Sequence, residues 1–127
     1  MAKLVYDSAM DAALAYVQDS AEYEVVCATE PTTWSEAMSS ASYYIGKVSV
    51  TSANFSITDG TVNGRKLVAQ AQASVPASLT SLAQWAVLVT SAGTSIVLLK
   101  TGIVSQVITS GNAMNLAAFK WEIADAT

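Results

Sequence analysis

Beyond Ala21 the sequence breaks into short runs of β-branched and aromatic residues, separated by Gly, Asp, Asn, Ser and Pro, and that rhythm fixes the fold class. The runs fall at 23–29, 43–51, 55–58, 65–75, 83–90, 95–100, 103–108 and 113–123. Eight short strands in about a hundred residues predict a mainly β architecture, an antiparallel β-sandwich or barrel spanning 22–123. The clearest alternation is at 65–75, where Leu67, Ala69, Ala71, Ala73 and Val75 face one way and Lys66, Gln70, Gln72 and Ser74 the other. This predicts one strand with a single wet side, and its inward alanines require a close neighbour. Ser91-Ala92-Gly93-Thr94 and Ser110-Gly111-Asn112 read as hairpin turns, giving an antiparallel meander over 83–123. Asp59-Gly60 and Asn63-Gly64 mark another turn region.

Before the strands, Val5/Tyr6, Ala9/Met10, Ala12/Ala13 and Tyr16/Val17 recur at the three-and-four spacing of an amphipathic helix, placed at 3–18. Asp7 and Asp11 sit near its start, where the helix dipole favours negative charge. Residues 30–42 form a loop after Pro31, with one helical turn at 33–38 capped by Thr33 and closed by Glu36. The chain shows no internal repeat, and all 127 residues are expected to make one domain.

Composition narrows the function. Hydrophobic residues make up 52% and charged residues 13%, about half the usual charged share, with a mean hydropathy of +0.38. Such a chain is too apolar for disorder and too poor in charge to coat a monomer, so burial in an assembly, as a homo-oligomer, is expected. The net charge is −4, and Lys3, Lys47, Arg65, Lys66, Lys100 and Lys120 make no patch, which argues against a nucleic-acid partner. No apolar run is long enough to span a membrane, and Asp7 and Asp11 interrupt any signal-peptide core, so no membrane partner and no export are expected.

The inventory of chemical groups is short. With no His and one Cys, triads, thiol–imidazole pairs and zinc or iron sites are ruled out. Cys27, between Val25, Val26 and Ala28, reads as a buried, inert thiol that can form no disulfide within the chain. Asp7 and Asp11 share a helix face as dipole partners rather than as an acid–base pair, and Asp59 is a turn residue that lacks the companions of a calcium loop. Phosphate-cradling glycine motifs are missing, and Asn54-Phe55-Ser56 matches a glycosylation pattern that no export signal supports. No catalytic residue, cofactor or metal is expected, and the chain is read as a non-enzyme. Trp85 and Trp121 lie within apolar strands as core residues. Trp34, Tyr43 and Tyr44 border the loop and, with Val5, Tyr6 and Met10 of the helix, are the candidate protein-interface residues.

A helix carrying Asp11-Ala12-Ala13-Leu14-Ala15-Tyr16 leads into Val26-Cys27-Ala28-Thr29-Glu30-Pro31-Thr32-Thr33-Trp34-Ser35-Glu36-Ala37. Asn63-Gly64-Arg65-Lys66-Leu67-Val68-Ala69, Gln84-Trp85-Ala86 and Val107-Ile108-Thr109-Ser110-Gly111-Asn112-Ala113-Met114 follow. Together these give a layout that resembles small virion proteins of tailed bacteriophages, the Cys-x-x-Glu-Pro-Thr-Thr-aromatic segment being its most specific part. The Ala/Gln-rich 65–75 departs from the Gly- and Thr-rich linkers common in similar chains. The resemblance implies a particle component, made in the host cytoplasm and located on the capsid surface or tail. Its partners would be the major capsid protein or other virion subunits. A decoration or cement protein that clamps the head shell is the first expectation, since a clamp multiplies modest apolar contacts by symmetry. A tail or head–tail junction component is the alternative within the particle. A receptor- or glycan-binding module is the alternative outside that class, with exposed aromatics near Trp34 as its signature. The helix or the 30–42 loop is expected to meet the shell while the sandwich faces outward.

Overall fold

The computed structural model describes residues 7–39, 43–61, 64–91 and 93–123. Helix α1 spans Asp7–Ser20, strand β1 Tyr23–Cys27, helix α2 Trp34–Ser39 and strand β2 Tyr44–Ser49. Strands β3 (Phe55–Asp59), β4 (Arg65–Ala69), β5 (Gln72–Pro76), β6 (Ser81–Val89), β7 (Val97–Ile108), β8 (Ala113–Leu116) and β9 (Phe119–Ile123) follow. They form three antiparallel sheets, ordered β2-β1-β6-β7, β3-β4-β9 and β5-β8. The fold is mainly β with one N-terminal helix, as the sequence predicts. The sheets are open, so the barrel alternative is set aside and the arrangement is sandwich-like.

The four-stranded sheet is the central layer because its strands are apolar on both faces; in β1 every residue after Tyr23 is buried. On one face Val26, Ile45, Ala83 and Ile108 pack against Val75, Met114 and Leu116 of the β5–β8 ribbon. Beside them Leu88 packs with Leu67, Ala69 and Phe55 of the β3-β4-β9 sheet and with Leu14 of α1. On the other face Val25, Cys27, Val87 and Val89 are covered by Ala37 of α2. Each large aliphatic side chain taken out of water here contributes about 1.5–3 kcal/mol, which offsets the ordering of a chain with so few ion pairs.

Three strand boundaries differ from expectation, each for a visible reason. The run at 65–75 is two strands: β4 lies in one sheet and β5 in another, with Gln70 and Ala71 exposed between them and Ser74 at φ +58. The run at 113–123 breaks in the same place, at Ala117 and Ala118, between β8 and β9. Ala69 faces Phe119 and Gln72 faces Leu116, so the ladder moves three residues along each strand across the gap and resumes in register. The two runs therefore form one antiparallel ribbon that turns a corner between sheets, a bend that small, exposed side chains permit. The third difference runs the other way: 95–100 and 103–108 merge into the single strand β7. Gly102 pairs with Trp85 and Gln106 with Ala83, so β7 advances four residues while β6 advances two, and a bulge absorbs the irregularity that looked like a break.

The 91–94 turn joins β6 to β7 as a hairpin, with Ala92 outside the described residues. The 110–112 turn, with Gly111 at φ +89, instead carries the chain from the four-stranded sheet to the β5–β8 ribbon. The meander over 83–123 is thus realised only in its first hairpin. In α1 the inward stripe is Met10, Leu14 and half-buried Val17, continued by buried Ala21 just past the helix end, while Ala9, Ala12, Ala13 and Tyr16 of the expected face are exposed. Arg65 anchors the helix to β4, its Nε 2.6 Å from Asp11 Oδ1 and its Nη1 2.5 Å from Asp59 Oδ1.

Candidate functional site

Of the residues proposed from sequence as an interface, Met10 is buried and Trp34, Tyr43 and Tyr44 are half-buried. Met10 is core. Trp34 packs on the α2 face of the central sheet, and its indole Nε1 donates to Thr90 O at 2.8 Å. Tyr44 packs in the same cluster, and half-buried Tyr43 hydrogen-bonds Glu36. Val5 and Tyr6 lie outside the described residues. Part of the helix's apolar face, Ala9, Ala12, Ala13 and Tyr16, stays exposed, while Trp34 and Tyr44 pack on the α2 side of the central sheet.

Several acids have structural partners. Thr33 Oγ1 accepts from Glu36 N at 3.2 Å, as a cap should, but the Glu36 carboxylate reaches back to Thr32 N at 2.8 Å and Thr32 Oγ1 at 2.7 Å rather than to Thr33. Those bonds hold its carboxyl below the usual range. Glu122 is lowered likewise, by bonds from Thr61 and then Lys120. Glu24 differs from these in being buried. It sits in the central strand, 1% exposed, between its register partners Val48 and Leu88. Its Oε2 has no hydrogen-bond partner, and burial pushes its carboxyl from 4.5 up to about 7. A second orphaned side-chain atom among the described residues, Trp121 Nε1, lies on β9 beside a hollow of about 460 Å³ between α1 and that strand. Among the described residues no cluster of acids and Cys could hold a metal, and no helix is long and apolar enough to cross a membrane.

Cys27 is fully buried, its Sγ 3.8 Å from Ala37 O, and burial pushes its thiol up to about 12. It is expected to ignore a thiol-specific disulfide reagent in the native protein and to titrate fully in denaturant. Rapid native labelling would contradict that placement.

What the pattern-based reading passes over is the distribution of charge. Residues 67–119 contain a single charged side chain, Lys100, although fifteen others lie elsewhere in the chain. Lys100 is itself drawn to the loop after β1, its Nζ 2.9 Å from Pro31 O and 3.1 Å from Glu30 Oε1. The fold gathers much of this stretch at one end of the molecule. There the start of β6 and the end of β7 pack on β5 and β8, Gln106 Nε2 donates to Asn115 O, and Gly111 N to Ala77 O. Nine residues between 70 and 84 and twelve between 102 and 118 are exposed, and none carries a charge.

Apolar side chains stand out from this end. Val104, at the β7 bulge, is 87% exposed and Val107 85%. Leu82, which pairs with Val107 across the ladder, is 40% exposed. Beside Val104 runs an apolar groove of about 250 Å³, walled by Ile103 and Gln106 on β7 and by Leu116, Ala118 and Phe119 opposite. The neighbouring edge of β7 has no strand paired to it among the described residues. An uncharged, partly apolar end next to an open sheet edge is what a protein contact requires and what a solvated surface avoids. No family model, curated protein or solved structure matches the chain.

Proposed function

We propose that this chain is a non-enzymatic structural subunit of a tailed-phage particle, a decoration or cement protein that clamps neighbouring subunits of the head shell. The observation that carries the structural role is the uncharged end built on β5, β6, β7 and β8, with Val104 and Val107 projecting from it. A contact of that kind gains from burial alone and is insensitive to salt, which suits a clamp repeated over a lattice. The phage setting rests on the sequence resemblance, above all on Cys27-Ala28-Thr29-Glu30-Pro31-Thr32-Thr33-Trp34. The contact is assigned to the uncharged end rather than to the helix or the 30–42 loop because Val104 and Val107 are the most exposed large apolar side chains among the described residues.

Quantitative gel densitometry of purified particles tests this role. A decoration protein is expected at hundreds of copies per particle, whereas about six or twelve would place it in a tail or head–tail ring. Its absence from mature particles would overturn the reading.

A further inference from the structure

We infer that the uncharged end is a self-association surface and that its occupant is the same end of a second copy, related by a two-fold axis. The inference names a partner and a surface for the assembly role proposed above.

The sheet edges supply the first argument. Exposed strand edges invite pairing with another chain, and charged side chains are a common defence. Among the described residues β2 carries Lys47, β3 carries Asp59, and β9 carries Lys120 and Glu122. From Thr101 to Ile108 the β7 edge carries no charge, and the β5–β8 ribbon beside it has none either. The undefended edges thus lie together at one end.

Charge also selects the partner. A different protein with an ordinary charged surface would have to desolvate its charges against groups that cannot pair with them. A second copy brings a surface as uncharged as the one it meets. With a net charge of −4, two chains repel over most approaches, and end-to-end contact through the uncharged surfaces keeps their acids apart. A stable interface takes about 20–30 residues from each side, and the exposed uncharged residues of the end number 21 over all its faces. A two-fold axis makes the contact self-complementary and closed, so Val104 and Val107 meet their counterparts without seeding an open fibre.

Sedimentation velocity of the purified full chain tests the inference. At tens of micromolar it is expected to sediment as a dimer, about twice the 13.2 kDa chain mass. Val104→Asp and Val107→Asp place unpaired charges at the centre and are expected to weaken the dimer by roughly a hundredfold or more. Both side chains are exposed, so the variants should melt as the wild type does when each is dilute enough to be monomeric. Tyr16→Asp, on an exposed position of α1, should leave the dimer intact. A wild type that stays monomeric at about 100 µM, dimers that survive both Asp substitutions, or growth into open-ended oligomers would overturn the inference. A monomer that is nevertheless abundant in particles would leave the assembly role standing and remove the second-copy contact. A dimer split by Val107→Asp, in a chain missing from particles, would do the reverse.

Discussion

Replacing Gly46 with alanine is expected to lower the melting temperature by roughly 10 °C, a loss on the order of 3 kcal/mol. Gly46 lies in β2 where that strand passes β5, and a Cβ there would stand 2.0 Å from Pro76 O and 3.0 Å from Met114 Cε. The methionine could move aside; the backbone carbonyl cannot without shifting β5. The separation between the central sheet and the β5–β8 ribbon is thus set by a missing side chain. Gly102→Ala is the control, because a Cβ at that position meets nothing within 4 Å. Its melting temperature should stay close to that of the wild type, and equal losses at the two glycines would contradict the close approach.

Stability is also expected to fall as pH rises from about 4.5 to about 7, and Glu24→Gln should remove most of that fall. The folded protein holds the Glu24 proton up to about pH 7, while the unfolded chain releases it near 4.5. Below 4.5 both states are protonated and ionisation costs the fold nothing. Between the two values the unfolded state gains progressively from ionisation, and above 7 the full penalty applies. A difference of that size corresponds to about 3 kcal/mol. The apolar register partners Val48 and Leu88 supply no charge to offset it. Urea denaturation of wild type and Glu24→Gln from pH 4 to pH 8 measures the effect. The two proteins should diverge with rising pH in favour of Gln, and parallel curves would show that Glu24 does not titrate in the core.

Strand periodicity was legible in the sequence to the extent that each strand's environment was uniform. The 65–75 run reads as one strand because its odd positions from Leu67 are apolar, yet Ala71 and Ala73, expected inward, are exposed and the β5–β8 register slips between Gln72 and Val75. In 113–123 the inward positions change phase, from Met114 and Leu116 to Phe119, Trp121 and Ile123. The corner at Gln70-Ala71 and Ala117-Ala118 depends on which sheet each half joins, a tertiary choice that leaves little trace in a local pattern. The same limit explains the interface residues. Met10 and Trp34 are apolar residues near the ends of their elements; in the fold Met10 enters the core and Trp34 donates to Thr90 O. Val104 and Val107 looked like ordinary strand residues, and the bulge with the vacant edge beside it leaves them outside. A signal was present nevertheless: 53 consecutive positions, 67–119, hold one charge, and charge spacing along the chain would have drawn attention to that stretch.

The central claim is that this molecule works by contact through its uncharged end. Hydrogen–deuterium exchange of the full chain at about 1 µM and about 200 µM tests it directly, since mass action fills a contact surface only at the higher concentration. Slower exchange at high concentration is predicted in residues 102–108 and 113–118, with α1 and β3 unchanged. Concentration-independent exchange throughout, or protection confined to α1, would contradict the account.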